Sequence, residues 1–391
     1  MAVNGHIVRD RIPLSTTPSA LQVTHERQDT YRIHVTADPH KALQAILDEL
    51  DGRRAAVITE RTVAALPPYD DLTRTLRQHG LLLGTIAVPP GERSKTLDTA
   101  YLLLDWLSQL DLARRDVIIA LGGGMIIDTV GWVASAYMRG VPYINVPTTL
   151  LAQVDAAIGG KVAVDHNSAK NLVGAFHQPR AVISCLTHLD TLDTRQTSAG
   201  LAEAVKKAVI ASPEYFDFIE THADDLLHHR LPATETLVRA AGAIKSQLVG
   251  RDPYENDLRR PLNFGHTVGH AVETTTGYGP VLHGEAVAFG MVIAADISRA
   301  RGLLDPATAD RITHLLTALN LPVRLHQLRA EPPIDDVLAA LGKIRQIRDG
   351  SLRFVLPLEL GTTLIVDDVT EDEVRAALLR TTADDLPAGR P

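Results

Sequence analysis

Residues 116–121 are almost wholly aliphatic, Gly122, Gly123 and Gly124 follow at once, and 125–138 repeat their apolar positions at helical spacing. A strand that is apolar on both faces needs cover on both. One that turns through glycines into a helix rejoins its sheet in parallel, by a crossover. That combination leaves few folds. Shorter apolar runs at 31–35, 55–59, 81–88 and 143–146 alternate with helical stretches such as 41–50. The expectation is an α/β chain whose first half is a parallel sheet flanked by helices.

At 391 residues the chain exceeds one ordinary core, so two domains are expected. Strand signals thin out past Cys185 and helical ones dominate, which sets the boundary within 187–200. The division is an extension at 1–30, an α/β domain at 31–190 and a mostly helical domain at 191–391, which includes two short strands within 347–367 and a helix at 371–379. A single cysteine rules out an internal disulfide and a thiolate metal cluster. The absence of a signal-peptide pattern or a long apolar run points to a cytoplasmic chain without a membrane partner. The net charge of -8 argues against nucleic acid.

A glycine turn between strand and helix lets backbone amides and the helix N-terminus meet a phosphate, as a dinucleotide pyrophosphate requires. Ile127 stands where a third glycine would complete the usual fingerprint. The stretch Pro90-Gly91-Glu92-Arg93-Ser94-Lys95 opens another helix at the same expected edge, and Glu60 ends a strand where a carboxylate can bind a ribose. Further on, Gly159-Gly160-Lys161 and Lys170-Asn171 read as one polar loop able to cradle a substrate phosphate, or as a hairpin of surface charge. Glu203 and Lys206 are three apart on an otherwise apolar helix, either as a salt bridge or as a metal ligand and a substrate contact. A helix at 237–249 carries Lys245. The segment 259–285 holds Arg259, Asn263, His266, His270 and the tripeptide His283-Gly284-Glu285. If 262–274 is helical, Asn263, His266 and His270 share one face, too polar for ordinary core, and the segment reads as half of a metal site.

The glycine turn with Asp128, Arg139-Gly140, Pro147-Thr148-Thr149, Asp155, Gly-Gly-Lys161, Lys170-Asn171, Ala202-Glu203 with Lys206, Asn263 with His266 and His270, and His283-Gly-Glu stand in the order found in dehydroquinate synthases. The chain thus resembles the sugar phosphate cyclases over residues 55–370. The resemblance implies a Rossmann-like NAD domain, a helical metal domain, a sugar phosphate substrate and a homodimer in which Arg139 reaches the neighbouring site. By the same resemblance Glu203, His266 and His283 are ligands of zinc or cobalt. Glu60, Glu92, Lys95, Gly122, Gly123, Gly124, Asp128, Thr148, Thr149 and Lys170 belong to the NAD site. Lys161, Asn171, Asn263 and His270 would hold phosphate, Asp155 and Lys206 hydroxyls, and Lys245 with Arg259 a carboxylate.

The implied reaction is phosphate elimination followed by intramolecular aldol closure, with NAD cycling and not consumed. A carboxylate site at Lys245 and Arg259 favours 3-deoxy-arabino-heptulosonate 7-phosphate giving 3-dehydroquinate, because a substrate without that carboxylate would leave both cations unmatched in a desolvated cleft. The alternative is sedoheptulose 7-phosphate giving a valiolone-type cyclitol; a polyol dehydrogenase ranks third. Ile344-Arg345-Gln346 replaces the usual Asp-Lys-Lys, so a phosphate-binding lysine is replaced by Arg345, supplied by Lys343, or lost. Glu60 stands for the usual Asp, and Asp252-Pro253-Tyr254-Glu255 and Asp155-Ala156-Ala157 also depart from the family pattern.

Overall fold

A computed structural model describes residues 29–166, 169–255, 260–347 and 352–382. The extension expected at 1–30 lies outside them except for its last two residues. The sheet half runs β1 (Arg32–Thr36), α1 (Pro39–Leu50), β2 (Ala55–Glu60), α2 (Arg61–Ala64), α3 (Pro67–Gln78), β3 (Leu82–Val88), α4 (Leu97–Gln109), β4 (Val117–Gly122), α5 (Gly124–Ala136), β5 (Tyr143–Pro147), β6 (Lys161–His166), β7 (Ala169–Phe176) and β8 (Ala181–Cys185). The helical half follows as α6 (Thr194–Ala211), α7 (Pro213–Thr221), α8 (Ala223–Leu227), α9 (Ala233–Arg251), α10 (His266–Thr275), α11 (His283–Ala300), α12 (Pro306–Ala318) and α13 (Ile334–Ile347). It ends in the hairpin β9 (Phe354–Glu359) and β10 (Thr362–Val366), then α14 (Glu371–Arg380). Among the described residues no helix is long and apolar enough to cross a membrane.

The main sheet is ordered β1-β8-β5-β4-β2-β3 and is parallel throughout. Its period of two sorts β4 between two cores. Val117, Ile119 and Leu121 join Leu50 and Leu72 from α1 and α3, whereas Ile118 and Ala120 join Leu103 and Val130 from α4 and α5. The connection after β2 leads outward to β3, and the one after β4 leads the other way to β5. Such divergence opens a crevice at the carboxyl ends of the strands. Glu60 and the glycine turn flank it.

Of the two readings of 159–171, the structure has the hairpin: β6 and β7 are antiparallel, and Lys161 pairs with Phe176. Lys170 and Asn171 therefore lie toward its other end, roughly 17 Å along the strand from Lys161's partner at about 3.4 Å per residue. The cause is the apolar run after Lys161, where Val162 and Val164 are buried. A Cβ at Gly131 of α5 would come within 2.2 Å of Val162 Cγ1, so helix and hairpin touch directly.

In the helical half α6 and α11 are central, with 14 of 18 residues buried in each. The helix expected over 262–274 is broken: Arg260–Asn263 is a 3-10 turn, Gly265 has φ 78°, and α10 starts at His266. Asn263 consequently does not share a helical face with His266 and His270. Left-handed backbone favours glycine there, and a Cβ on Gly265 would also lie 2.6 Å from Val287 O. The glycines weaken their helices so that backbones can meet: a Cβ on Gly284 would sit 1.9 Å from Ala199 O, and one on Gly290 1.9 Å from Gly265 O. That contact draws α6, α10 and α11 together.

Gly290→Ala should destabilise the fold by about 1–3 kcal/mol, the usual result of overpacking. Gly342→Ala in α13, where an added Cβ meets nothing within 4 Å, should be neutral or stabilising by up to about 1 kcal/mol. Urea denaturation of both variants checks the contrast, and equal midpoints would contradict the close-packing account.

Candidate active site

Glu203 sits in the middle of α6, 1% exposed, and its carboxylate oxygens have no partner at hydrogen-bonding distance other than Lys206. It forms an ion pair with Lys206 on the same helix. His266 Nε2 and His283 Nε2 each lie 3.6 Å from Glu203 Oε1. That is too long for hydrogen bonds and close to the edge of about 3.3 Å between ligands around a tetrahedral ion with 2.0–2.1 Å bonds. The other ring nitrogens are engaged. His266 Nδ1 lies 3.1 Å from Phe264 O, which fixes the proton on Nδ1 and leaves the Nε2 lone pair facing Glu203. His283 Nδ1 lies 3.2 Å from both oxygens of Glu273. Burial, with Lys206 and the other imidazoles nearby, pushes His266 well below the usual histidine range, so it is neutral and ready to ligate. For His283 burial acts downward too, but the Glu273 carboxylate outweighs it and raises the pKa.

These residues fit a zinc or cobalt ion: two neutral-capable imidazoles and one buried carboxylate whose Oε1 faces both of them, with ligand atoms all within 4.8 Å of one another. His270, Glu273 and His283 form a second trio at similar spacing. The first is the better set, because Glu273 is already committed to His283 Nδ1 and Lys170.

Beside the trio stands a cluster of cations around Asp155, which lies on a π-helical turn after β5. Lys207 donates to Asp155 Oδ1; Lys245 Nζ lies 2.6 Å from the Asp155 carbonyl and 3.0 Å from Oδ2; Lys206 Nζ is 3.9 Å from Oδ1. Burial would raise the Asp155 pKa, but the three lysines hold it well below the carboxylate range. Lys245, expected to await a substrate carboxylate, thus has an anion from its own chain. Arg259, its expected partner, lies outside the described residues.

Along the sheet edge Gly122 pairs with Pro147 in register, and Thr148 N donates to Gly122 O at 3.0 Å. Gly123 caps α5 without a side chain, which leaves the first-turn amides to a ligand. A Cβ on Gly123 would come within 2.9 Å of Thr149 Cγ2, so a side chain there would force Thr149 to shift. Lys95, 2% exposed, lies 2.6 Å from Asp128 Oδ2 and also contacts Asn171 Oδ1. Burial raises the Glu60 pKa, opposed by the Gly91 amide. Glu92 pairs with Lys170 at 3.0 Å. This edge has the glycine cradle and charge that a dinucleotide needs, and Asn171 falls with it, away from Lys161.

Lys161 pairs with Glu255, whose Oε1 accepts from Asn263 Nδ2 at 2.8 Å. Asn263, His266, His270, Ile344 and Arg353 line one small cleft. Arg353 shares this cleft with His266 and His270, while Arg345 bonds Val369 O at 3.3 Å and Lys343 is exposed. Arg139, exposed with φ 65°, lies past the far end of α5, about 20 Å from the glycine turn at 1.5 Å per residue. Glu285 turns away from the trio: it caps α11 through Leu282 N at 2.8 Å and binds Arg195 through both oxygens. Sequence reasoning passed over Glu273, Lys207, Glu255 and Arg353. A buried acid seven residues past His266 and a lysine four past Glu203 were signals for the first two; nothing local marked Arg353.

Asp155→Ala should cost about 3–5 kcal/mol near neutral pH, as when one partner of a buried pair is removed. Lys207 is fully buried and its pKa is already lowered, by burial against Asp155. Without the anion it sheds its proton more readily folded than unfolded, so the deficit should shrink as pH rises by about two units. Urea unfolding at both pH values checks this; a deficit that grows with pH would contradict it.

The sequence model of 3-dehydroquinate synthase N-terminal matches residues 85–199, and that of 3-dehydroquinate synthase C-terminal matches 200–341. A 2-epi-valiolone synthase of Actinosynnema mirum is 66% identical over 376 residues, covering 96% of this chain and 98% of that one. A 3-dehydroquinate synthase of Nitrosospira multiformis is 39% identical over 363 residues, covering 93% and 98%. The structure of 2-epi-5-epi-valiolone synthase from Streptomyces hygroscopicus subsp. jinggangensis, with NAD+ and Zn2+ bound, superposes with a TM-score of 0.85 at 32% identity, covering 93% of this chain and all of that one. By these matches and by its fold, the chain belongs to the 3-dehydroquinate synthase-like family of sugar phosphate cyclases.

Proposed function

We propose that the chain cyclises sedoheptulose 7-phosphate to 2-epi-valiolone, with release of phosphate. The observation that carries this reading is the gap between 66% identity to a 2-epi-valiolone synthase and 39% to a 3-dehydroquinate synthase, at matching coverage. It reverses the order of preference reached from sequence, where the carboxylate substrate ranked first. The argument behind that order was that Lys245 and Arg259 would both be left unmatched; for Lys245, Asp155 supplies the anion. A neutral hydroxymethyl group beside Lys245 then carries no penalty for an unmatched buried charge.

In this reading Glu203, His266 and His283 hold zinc or cobalt, and the glycine turn with Glu60, Glu92, Lys95, Asp128, Thr148 and Thr149 holds NAD. When bound, the metal polarises the substrate carbinol and NAD takes and returns a hydride. Asp155 and Lys206 orient substrate hydroxyls. Lys161, Asn263, His270 and Arg353 hold the phosphate until it leaves, Arg353 taking the part expected of Arg345 or Lys343. Burial of Glu203 and Lys206 keeps bulk water from their charges, which strengthens both interactions. Residues 31–190 serve as the cofactor domain and 191–391 as the metal and substrate domain. Arg139, remote from the glycine turn within one chain, serves a neighbouring subunit in a homodimer.

With NAD and zinc or cobalt supplied, phosphate release from sedoheptulose 7-phosphate should be at least about tenfold faster than from 3-deoxy-arabino-heptulosonate 7-phosphate, a barrier difference of about 1.4 kcal/mol. Release from the carboxylate sugar alone would overturn the substrate. NADH rising in proportion to product would place the chain with dehydrogenases.

A further inference from the structure

Four side chains form an unbroken line from the crevice edge to the metal trio. Glu92, in the 3-10 turn after β3, lies 3.0 Å from Lys170 Nζ on β7. Lys170 also donates to Glu273 Oε1 on α10 at 3.0 Å. Glu273 in turn lies 3.2 Å from His283 Nδ1, and His283 Nε2 faces Glu203 at 3.6 Å. The middle of the line is the buried part, with side-chain exposure of 18% at Lys170 and 3% at Glu273 between 29% at Glu92 and 27% at His283. Lys170 further rests over the Tyr278 ring, 5.8 Å from its centroid. Three segments remote in sequence converge on one ammonium, and no single site needs that arrangement.

We propose that Lys170 and Glu273 are positioning residues that couple the two binding sites: a dinucleotide on the loop carrying Glu92 tightens metal binding at His283, and the metal tightens the dinucleotide in return. The inference rests on the reading of both sites given above. Lys170 divides its charge between two carboxylates, so the placement of Glu92 governs how firmly Glu273 is held. Glu273 in turn sets the ring orientation and proton position of His283. Either ligand orders the whole line, and the second meets it already ordered, which makes the coupling positive. By linkage the same factor applies in both directions.

The test measures zinc affinity by competition with a chromophoric chelator, without NAD and at saturating NAD, alongside calorimetric titration of each ligand alone. The wild type should bind zinc at least about fivefold tighter with NAD present, the low end of ordinary coupling. That ratio should fall toward one in Lys170→Met and in Glu273→Gln, which cuts the line without touching the cofactor loop. Lys170→Arg keeps both carboxylates bridged and should retain most of the ratio. A wild-type ratio of one with both ligands bound, or an undiminished ratio in both severed variants, overturns the coupling while leaving the sites intact. Failure of wild type to take up zinc or NAD in the single titrations overturns the sites themselves, and the coupling with them.

Discussion

A carboxylate placed at the centre of a buried helix is the constraint on which this half of the molecule depends. Glu203 is too deeply buried to be stable as an isolated anion, and its surroundings answer that need from several directions. Lys206 supplies charge from the same helix, and His266 and His283 bring imidazole nitrogens from α10 and α11. Those helices come close enough only because glycines line their contacts, where a Cβ would strike Ala199 or Gly265 backbone. The packing of α6, α10 and α11 and the chemistry of the trio are therefore one arrangement.

A second constraint is the concentration of positive charge. Lys206, Lys207 and Lys245 are all buried within reach of Asp155, an arrangement tolerable only with a fixed anion at its centre. This balance bears on specificity. A cation already matched by its own chain does not require an anionic group on the substrate, which removes the objection to a neutral sugar as far as Lys245 is concerned.

Much of the fold was legible in the chain. The aliphatic run at 116–121 with its glycines places β4 and α5, and β2, β3 and β5 fall where the shorter runs put them. The break at Gly265 was not legible, because the spacing of Asn263, His266 and His270 is also that of a continuous helix; a left-handed glycine decides the matter through contacts with α11. The β6–β7 hairpin was legible only as one of two readings, because the polar residues at its ends mask an apolar middle packed on Gly131. Residues carried by local motifs that the structure brings together, such as His266 and Glu203, could be grouped in advance. Partners set by long-range packing, such as Arg353 beside His270 or Lys170 beside Glu273, could not.

The central claim is that Glu203, His266 and His283 together form one metal site with its imidazole protons fixed in advance. X-ray absorption of the zinc-loaded protein tests it most directly. The account predicts one zinc per chain with two imidazoles and oxygen completing the shell, at about 2.0–2.2 Å. A zinc without imidazole scattering, or one whose spectrum is unchanged in His266→Ala, would contradict it.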